Sequence, residues 1–71
     1  MQIQYNIESD LLYIRLDNQQ QPVINKRLSD EIVLDIGEGD KIVGIEILAA
    51  SKRLNLERLL PVQYEVLSKA A

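Results

Sequence analysis

The stretch Glu31-Ile-Val-Leu-Asp-Ile-Gly-Glu-Gly-Asp-Lys-Ile-Val-Gly-Ile-Glu-Ile-Leu48 decides the fold. Ile32, Leu34 and Ile36 alternate with Val33 and Asp35, the period of two that marks a strand. Gly37-Glu38-Gly39-Asp40 follows, rich in residues that tolerate positive φ, so a turn centred on Glu38-Gly39 is expected. Lys41 to Leu48 is then β-branched and almost continuously apolar. Pairing Ile36 with Lys41 sets Leu34 opposite Val43, Ile32 opposite Ile45 and Gly44 opposite Val33. The other face of this hairpin carries Val33, Ile42 and Leu48 beside Glu31, Asp35 and Glu46. Apolar residues on both faces imply a central strand covered on both sides.

Upstream, Ile3, Tyr5 and Ile7 alternate with Gln2, Gln4, Asn6 and Glu8, and Leu12, Ile14 and Leu16 share a face of the next run. A hairpin turning at Ser9-Asp10 puts Ile7 opposite Leu12, Tyr5 opposite Ile14 and Ile3 opposite Leu16, so that apolar residues meet throughout. The segment from Asp17 to Pro22 is polar and unpatterned, a surface loop. Val23 to Leu28 suits an edge strand, with Pro22 at its start and charges within it. Downstream, Leu56, Leu59 and Leu60 have helical spacing, Asn55 stands at an N-cap position, and Pro61 ends the helix. Val62, Tyr64 and Val66 alternate again and read as a last strand, with a continued helix as the alternative. The expected architecture is therefore α+β and mostly β: an antiparallel sheet of two hairpins plus an edge strand, one short C-terminal helix, and a possible last strand.

A chain of 71 residues has room for a single domain, here 1–71. A chain of this size buries only about 60% of the surface its unfolded form exposes. Its core alone supplies about 3–5 kcal/mol unless something staples it. With no cysteine and no histidine, disulfides, thiolate metal sites and imidazole acid–base chemistry are excluded. Oligomerisation is the staple left. Net charge is −3, from eight basic and eleven acidic residues, which works against binding a phosphate backbone. No apolar run approaches the roughly 20 residues of a membrane helix. The start has neither the basic region nor the apolar run of a signal peptide, and a cytoplasmic location is the expectation.

Tyr5, Asp10, Leu12-Tyr13-Ile14, Ile32-Val33-Leu34-Asp35, Ile42-Val43-Gly44-Ile45-Glu46-Ile47-Leu48 and Ala50-Ser51 together resemble the bacterial proteins catalogued as domain of unknown function 2283. The likeness runs from about Tyr5 to Ser51, and Gly44 to Leu48 is its most specific part. Members often carry a second aspartate two residues after the Asp35 position, where this chain has Gly37. The resemblance implies small bacterial proteins without an assigned activity, some encoded beside toxin-like partners, and it assigns no catalytic residue.

Four residues stand out: Asp35, Glu46, Gly44 and Tyr13. Clustered carboxylates can hold a hard cation or act as acid and base. The structural reading of Asp35 and Glu46 is a polar sheet face neutralised by arginine, with Arg53 or Arg58 as the expected partner of Glu46. On that reading Glu46→Gln destabilises the fold. Gly44, in mid-strand, marks a close approach, either of the helix or of another subunit. Tyr13 lies on the face opposite Tyr5, where it is a candidate interface anchor, while Tyr5 is expected in the core. Ser51 lacks a positioned base and reads as a cap or strand terminator. Lys26-Arg27 and Lys52-Arg53 read as solvated surface.

No catalytic, cofactor or metal residue is assigned, and no enzyme activity is expected. The reading preferred is a non-catalytic interaction module, a dimer or higher oligomer or the small partner of a toxin-like protein, with no nucleic-acid or membrane partner. The alternative is a small ligand- or metal-binding domain using the Asp35/Glu46 face.

Overall fold

A computed structural model describes residues 1–59 and 64–67. Five strands form one antiparallel sheet: β1 (Gln2–Asn6), β2 (Leu11–Arg15), β3 (Ile24–Arg27), β4 (Ile32–Ile36) and β5 (Ile42–Leu48), in the order β1-β2-β5-β4-β3. The strand with apolar residues on both faces, β5, is the central one, and β3 is an edge, as its proline and charges suggest. A single helical turn, α1 (Ala50–Arg53), follows β5.

Both hairpins turn where expected, but their registers differ from the expected ones. In the first, Asn6 pairs with Leu11, Tyr5 with Leu12 and Ile3 with Ile14. The connection is four residues long, because Ile7 leaves the ladder and stands 81% exposed. Two local features hold the longer loop. Asn6 Oδ1 accepts the Ser9 N–H at 3.1 Å, and Asp10 takes a left-handed backbone, φ 53°.

In the second hairpin, Gly37 N–H donates to the Lys41 carbonyl at 2.8 Å, and Glu38–Asp40 coils into a 3-10 turn. Ile36 therefore meets Ile42 rather than Lys41. The ladder shifts again between Asp35 and Ile36, so that Asp35 faces Gly44, Leu34 faces Ile45 and Ile32 faces Ile47. The longer loop and the bulge each displace the ladder by one residue. Together they slip it by two, which returns the side chains beyond the bulge to the faces the alternation assigned them.

Ile3, Ile14, Ile45 and Leu34 consequently form an apolar row across four strands, next to a row of Tyr5, Leu12, Ile47 and Ile32. Among the described residues, the only buried apolar side chains are Leu12, Val33, Val43 and Ala50. Tyr5, expected in the core, is 39% exposed because its hydroxyl reaches out to Asp10.

Asp10 joins the first loop to the end of β5. Its Oδ1 accepts the Tyr5 hydroxyl at 2.6 Å and the Ser51 N–H at 3.0 Å, its Oδ2 accepts the Ser51 hydroxyl at 2.7 Å, and its carbonyl accepts the Ala50 N–H at 3.0 Å. A side chain 41 residues away thus satisfies the first turn of α1, whose N-cap residue, the left-handed Ala49 (φ 52°), has no side-chain acceptor to cap it. These hydrogen bonds, first from Tyr5 and then from Ser51, hold the Asp10 carboxyl below its ordinary 3.8. A depressed value stabilises the fold above the unfolded-state pKa, and this stability is lost as pH falls through the folded-state value. Asp10→Asn is therefore expected to lower the melting temperature at pH 7 and to flatten its fall below pH 4. Thermal melts of both proteins between pH 2 and 8 check this.

The C-terminal helix expected from Leu56 is only a 3-10 turn over Leu56–Arg58, and Asn55 precedes it without a side-chain cap bond. Of the expected last strand, Val62 and Gln63 lie outside the described residues. Residues 64–67 form neither strand nor helix and are exposed.

Candidate functional site

The alternation of β2, β4 and β5 places Tyr13, Asp35, Gly44 and Glu46 on one sheet face, and the register brings them together. Tyr13 pairs with Glu46, while Gly44 lies between Arg15 on β2 and Asp35 on β4. The Tyr13 hydroxyl crosses β5 over Gly44 and donates to Asp35 Oδ2 at 3.1 Å. Gly44 is required here because a Cβ on it would stand 2.5 Å from Tyr13 Cζ, inside van der Waals contact. The close approach foreseen at Gly44 is thus made by the ring of Tyr13, not by a helix, and its β4 neighbour is Asp35, not Val33. Tyr13 is half-buried as part of this cluster, with the Arg15 guanidinium 5.5 Å from its ring centroid.

Asp35 is 9% exposed, and its Oδ1 is buried without a hydrogen-bond partner. Glu46, one diagonal step away, is pushed above its ordinary 4.5 by burial first, then by the negative charge of Asp35, against a smaller opposing pull from Arg27. Burial, and next the bond to Asp35, push the Tyr13 phenol up as well. The expected arginine partner is elsewhere: the Arg53 Nε–H donates to Glu31 at 2.5 Å. That pair holds Glu31 below its ordinary range, and nothing ties Arg58 to Glu46 among the described residues. The reason is geometric. With Val33 rather than Glu31 opposite Glu46, the chain leaving β5 returns beside Glu31, which is opposite Leu48 (Leu48 N–H to Glu31 O, 2.8 Å).

The consequence for Glu46 reverses in sign. An elevated carboxyl contributes stability that is complete below its unfolded-state value and is lost as pH rises through the folded-state one. Glu46→Gln, which keeps the shape and removes the charge, is expected to raise stability at pH 7–8 by up to about 1 kcal/mol, the scale of like charges apposed in a sheet. The difference should disappear near pH 4. Urea titrations at the two pH values check this, and a loss of stability at pH 8 would restore the arginine-paired reading.

A cavity of about 380 Å³ opens beside this cluster, lined by Tyr13, Arg15, Gln19, Gln20, Gln21, Val23, Asp35 and Val43. Gln21 shapes its rim by accepting the Glu38 N–H at 2.8 Å. Gly37 accommodates it, since a Cβ there would meet the Gln21 amide and Val43. An aspartate at position 37 would have to displace both. Arg15 follows Tyr13 by two residues in β2, so alternation is the signal that places it on this face, whereas the glutamines of the Asp17–Pro22 loop carry no periodic pattern that sequence reasoning could have used. Among the described residues, no three of His, Cys, Asp and Glu gather closely enough to hold a metal ion. Nor is any described helix long and apolar enough to cross a membrane.

One family model matches the chain, described as protein of unknown function (DUF2283), over residues 2–51. These residues run from the first strand through the sheet to the Asp10–Ser51 tie. No curated protein and no solved structure matches.

Proposed function

The chain belongs to the DUF2283 family, proteins of unknown function, and from that premise we propose that it is a non-catalytic interaction module, cytoplasmic, that works by binding a second copy of itself. The observation that supports this reading is the incompletely covered apolar face of the sheet. Ile24, Leu16, Ile42, Tyr5 and Ile32 are exposed there or at its margins, and the row from Ile3 to Leu34 is only half-buried. Contiguous apolar surface of this kind is what monomers avoid and interfaces use. Among the described residues, α1 and the 3-10 turn over Leu56–Arg58 supply little cover for five strands. Sedimentation velocity from 1 to 100 μM is expected to show a folded dimer or higher oligomer. A folded monomer across that range would remove the reading.

A second reading draws on the Asp35 face. The unpaired Asp35 Oδ1 beside a cavity that also presents Arg15 and three glutamine amides suits a small polar ligand with a hydrogen-bond donor. Among the described residues no cluster of metal ligands gathers at this face, which favours an organic ligand over a cation. Ligand-observed NMR against a panel of small amines and amino acids tests it. Binding lost in Asp35→Asn but kept in Gln4→Lys would favour it.

A further inference from the structure

An antiparallel sheet of five strands has two edges, and in this chain they are built differently. β3 has four residues, follows Pro22, and carries Lys26 and Arg27. These features discourage another strand from pairing there. Arg27 also folds back on its own turn, donating to the Asp30 carbonyl at 2.9 Å. β1, Gln2-Ile-Gln-Tyr-Asn6, has no charge and no proline, and among the described residues its only neighbour in the sheet is β2. Four of its five residues are exposed.

We propose that the β1 edge is the self-association surface, where two copies pair β1 against β1 antiparallel about a two-fold axis at Gln4. The inference rests on the self-association proposed above. In that register Gln2 meets Asn6 of the second copy, Ile3 meets Tyr5, and Gln4 meets Gln4. No charge opposes a like charge, the amide side chains can hydrogen-bond to one another across the axis, and the main-chain groups of an open edge find partners. The Ile3 and Tyr5 pairs join the two apolar rows of one sheet to those of the other and cover the exposed Tyr5 ring. The Asp10 carboxylate already fixes Tyr5 in place, so little further ordering is needed. The same construction at β3, with its axis at Asn25, would bring Ile24 against Lys26, and with its axis at Lys26 would oppose Lys26 to Lys26 and Asn25 to Arg27, so either concentrates four positive charges at one junction. An isologous β1 pairing closes as a dimer, whereas β1 on β3 would propagate into a filament.

The natural sequence has no cysteine, so a single introduced thiol reports on the axis. Directly opposed residues in an antiparallel pair stand within disulfide range. Gln4→Cys is therefore expected to cross-link almost fully to dimer under mild oxidation, and Asn25→Cys on β3 is not. Gln4→Lys and Gln4→Glu, at an exposed position, should each keep the circular dichroism of the fold and weaken the dimer at least tenfold in sedimentation. An equimolar mixture of the two should recover it. A dimer that ignores both charge variants, cross-links at Asn25→Cys instead, or grows without limit overturns the β1 edge while leaving self-association intact. A folded monomer at 100 μM overturns both.

Discussion

Leu12→Ala is expected to leave the protein largely unfolded at 25 °C. Leu12 is 1% exposed and is the largest fully buried side chain among the described residues. It stands between Tyr5 on β1 and Ile47 on β5. Truncating a buried leucine costs about 2–5 kcal/mol through lost transfer energy and the cavity left behind. A core of this size has about 3–5 kcal/mol in total, so the loss is comparable to the whole stability. Far-UV circular dichroism and urea titration check the outcome. Leu12→Met, which conserves volume, should remain folded with a loss under about 1.5 kcal/mol. If Leu12→Ala melts like the wild type, the buried centre lies elsewhere.

Gly44→Ala is the second large effect, and its cost is transmitted through Tyr13. The added methyl occupies the space under the ring, so Tyr13 must swing away from Asp35. The Asp35 carboxyl, with one oxygen already unpartnered, then loses the bond to the other. Stranding a buried acceptor costs about 1–3 kcal/mol, and displacing packed atoms adds a similar amount. A loss of about 2–4 kcal/mol is expected. The measurement that isolates the cause is a double-mutant cycle. Once Tyr13→Ala has removed the ring, Gly44→Ala should cost almost nothing. If the two losses add, Gly44 is required for a reason unrelated to Tyr13.

The candidate site was legible in part. Asp35, Glu46, Gly44 and Tyr13 were each singled out by residue type within a strand pattern, and the sheet gathers all four. Their mutual arrangement was not legible. Glu46 was expected to meet an arginine and meets Asp35, and Arg53 serves Glu31 instead. An exposed arginine can reach several carboxylates along one sheet edge, and one step of register decides which is nearest. Asp10 read as an ordinary turn residue, although its carboxylate caps a helical turn far along the chain. Local spacing carries no record of such a bond.

Side-chain alternation by itself determined which residues of β1, β2 and β4, and of β5 from Gly44 onward, share a face; apolar residues on both faces marked β5 as central, and Pro22 with the charges of β3 marked it as an edge. That information survives a slip of two residues, because the pleat repeats every two. For the same reason alternation cannot distinguish registers that differ by two, and both hairpins took the alternative register. Only the tertiary structure decided that choice, through the left-handed Asp10 and its bonds to Tyr5 and Ser51 in the first hairpin. In the second, the 3-10 turn at Glu38–Asp40 and the bulge beyond Asp35 did so. These are interactions of backbone conformation and distant partners, and the positions of apolar residues along the chain do not encode them.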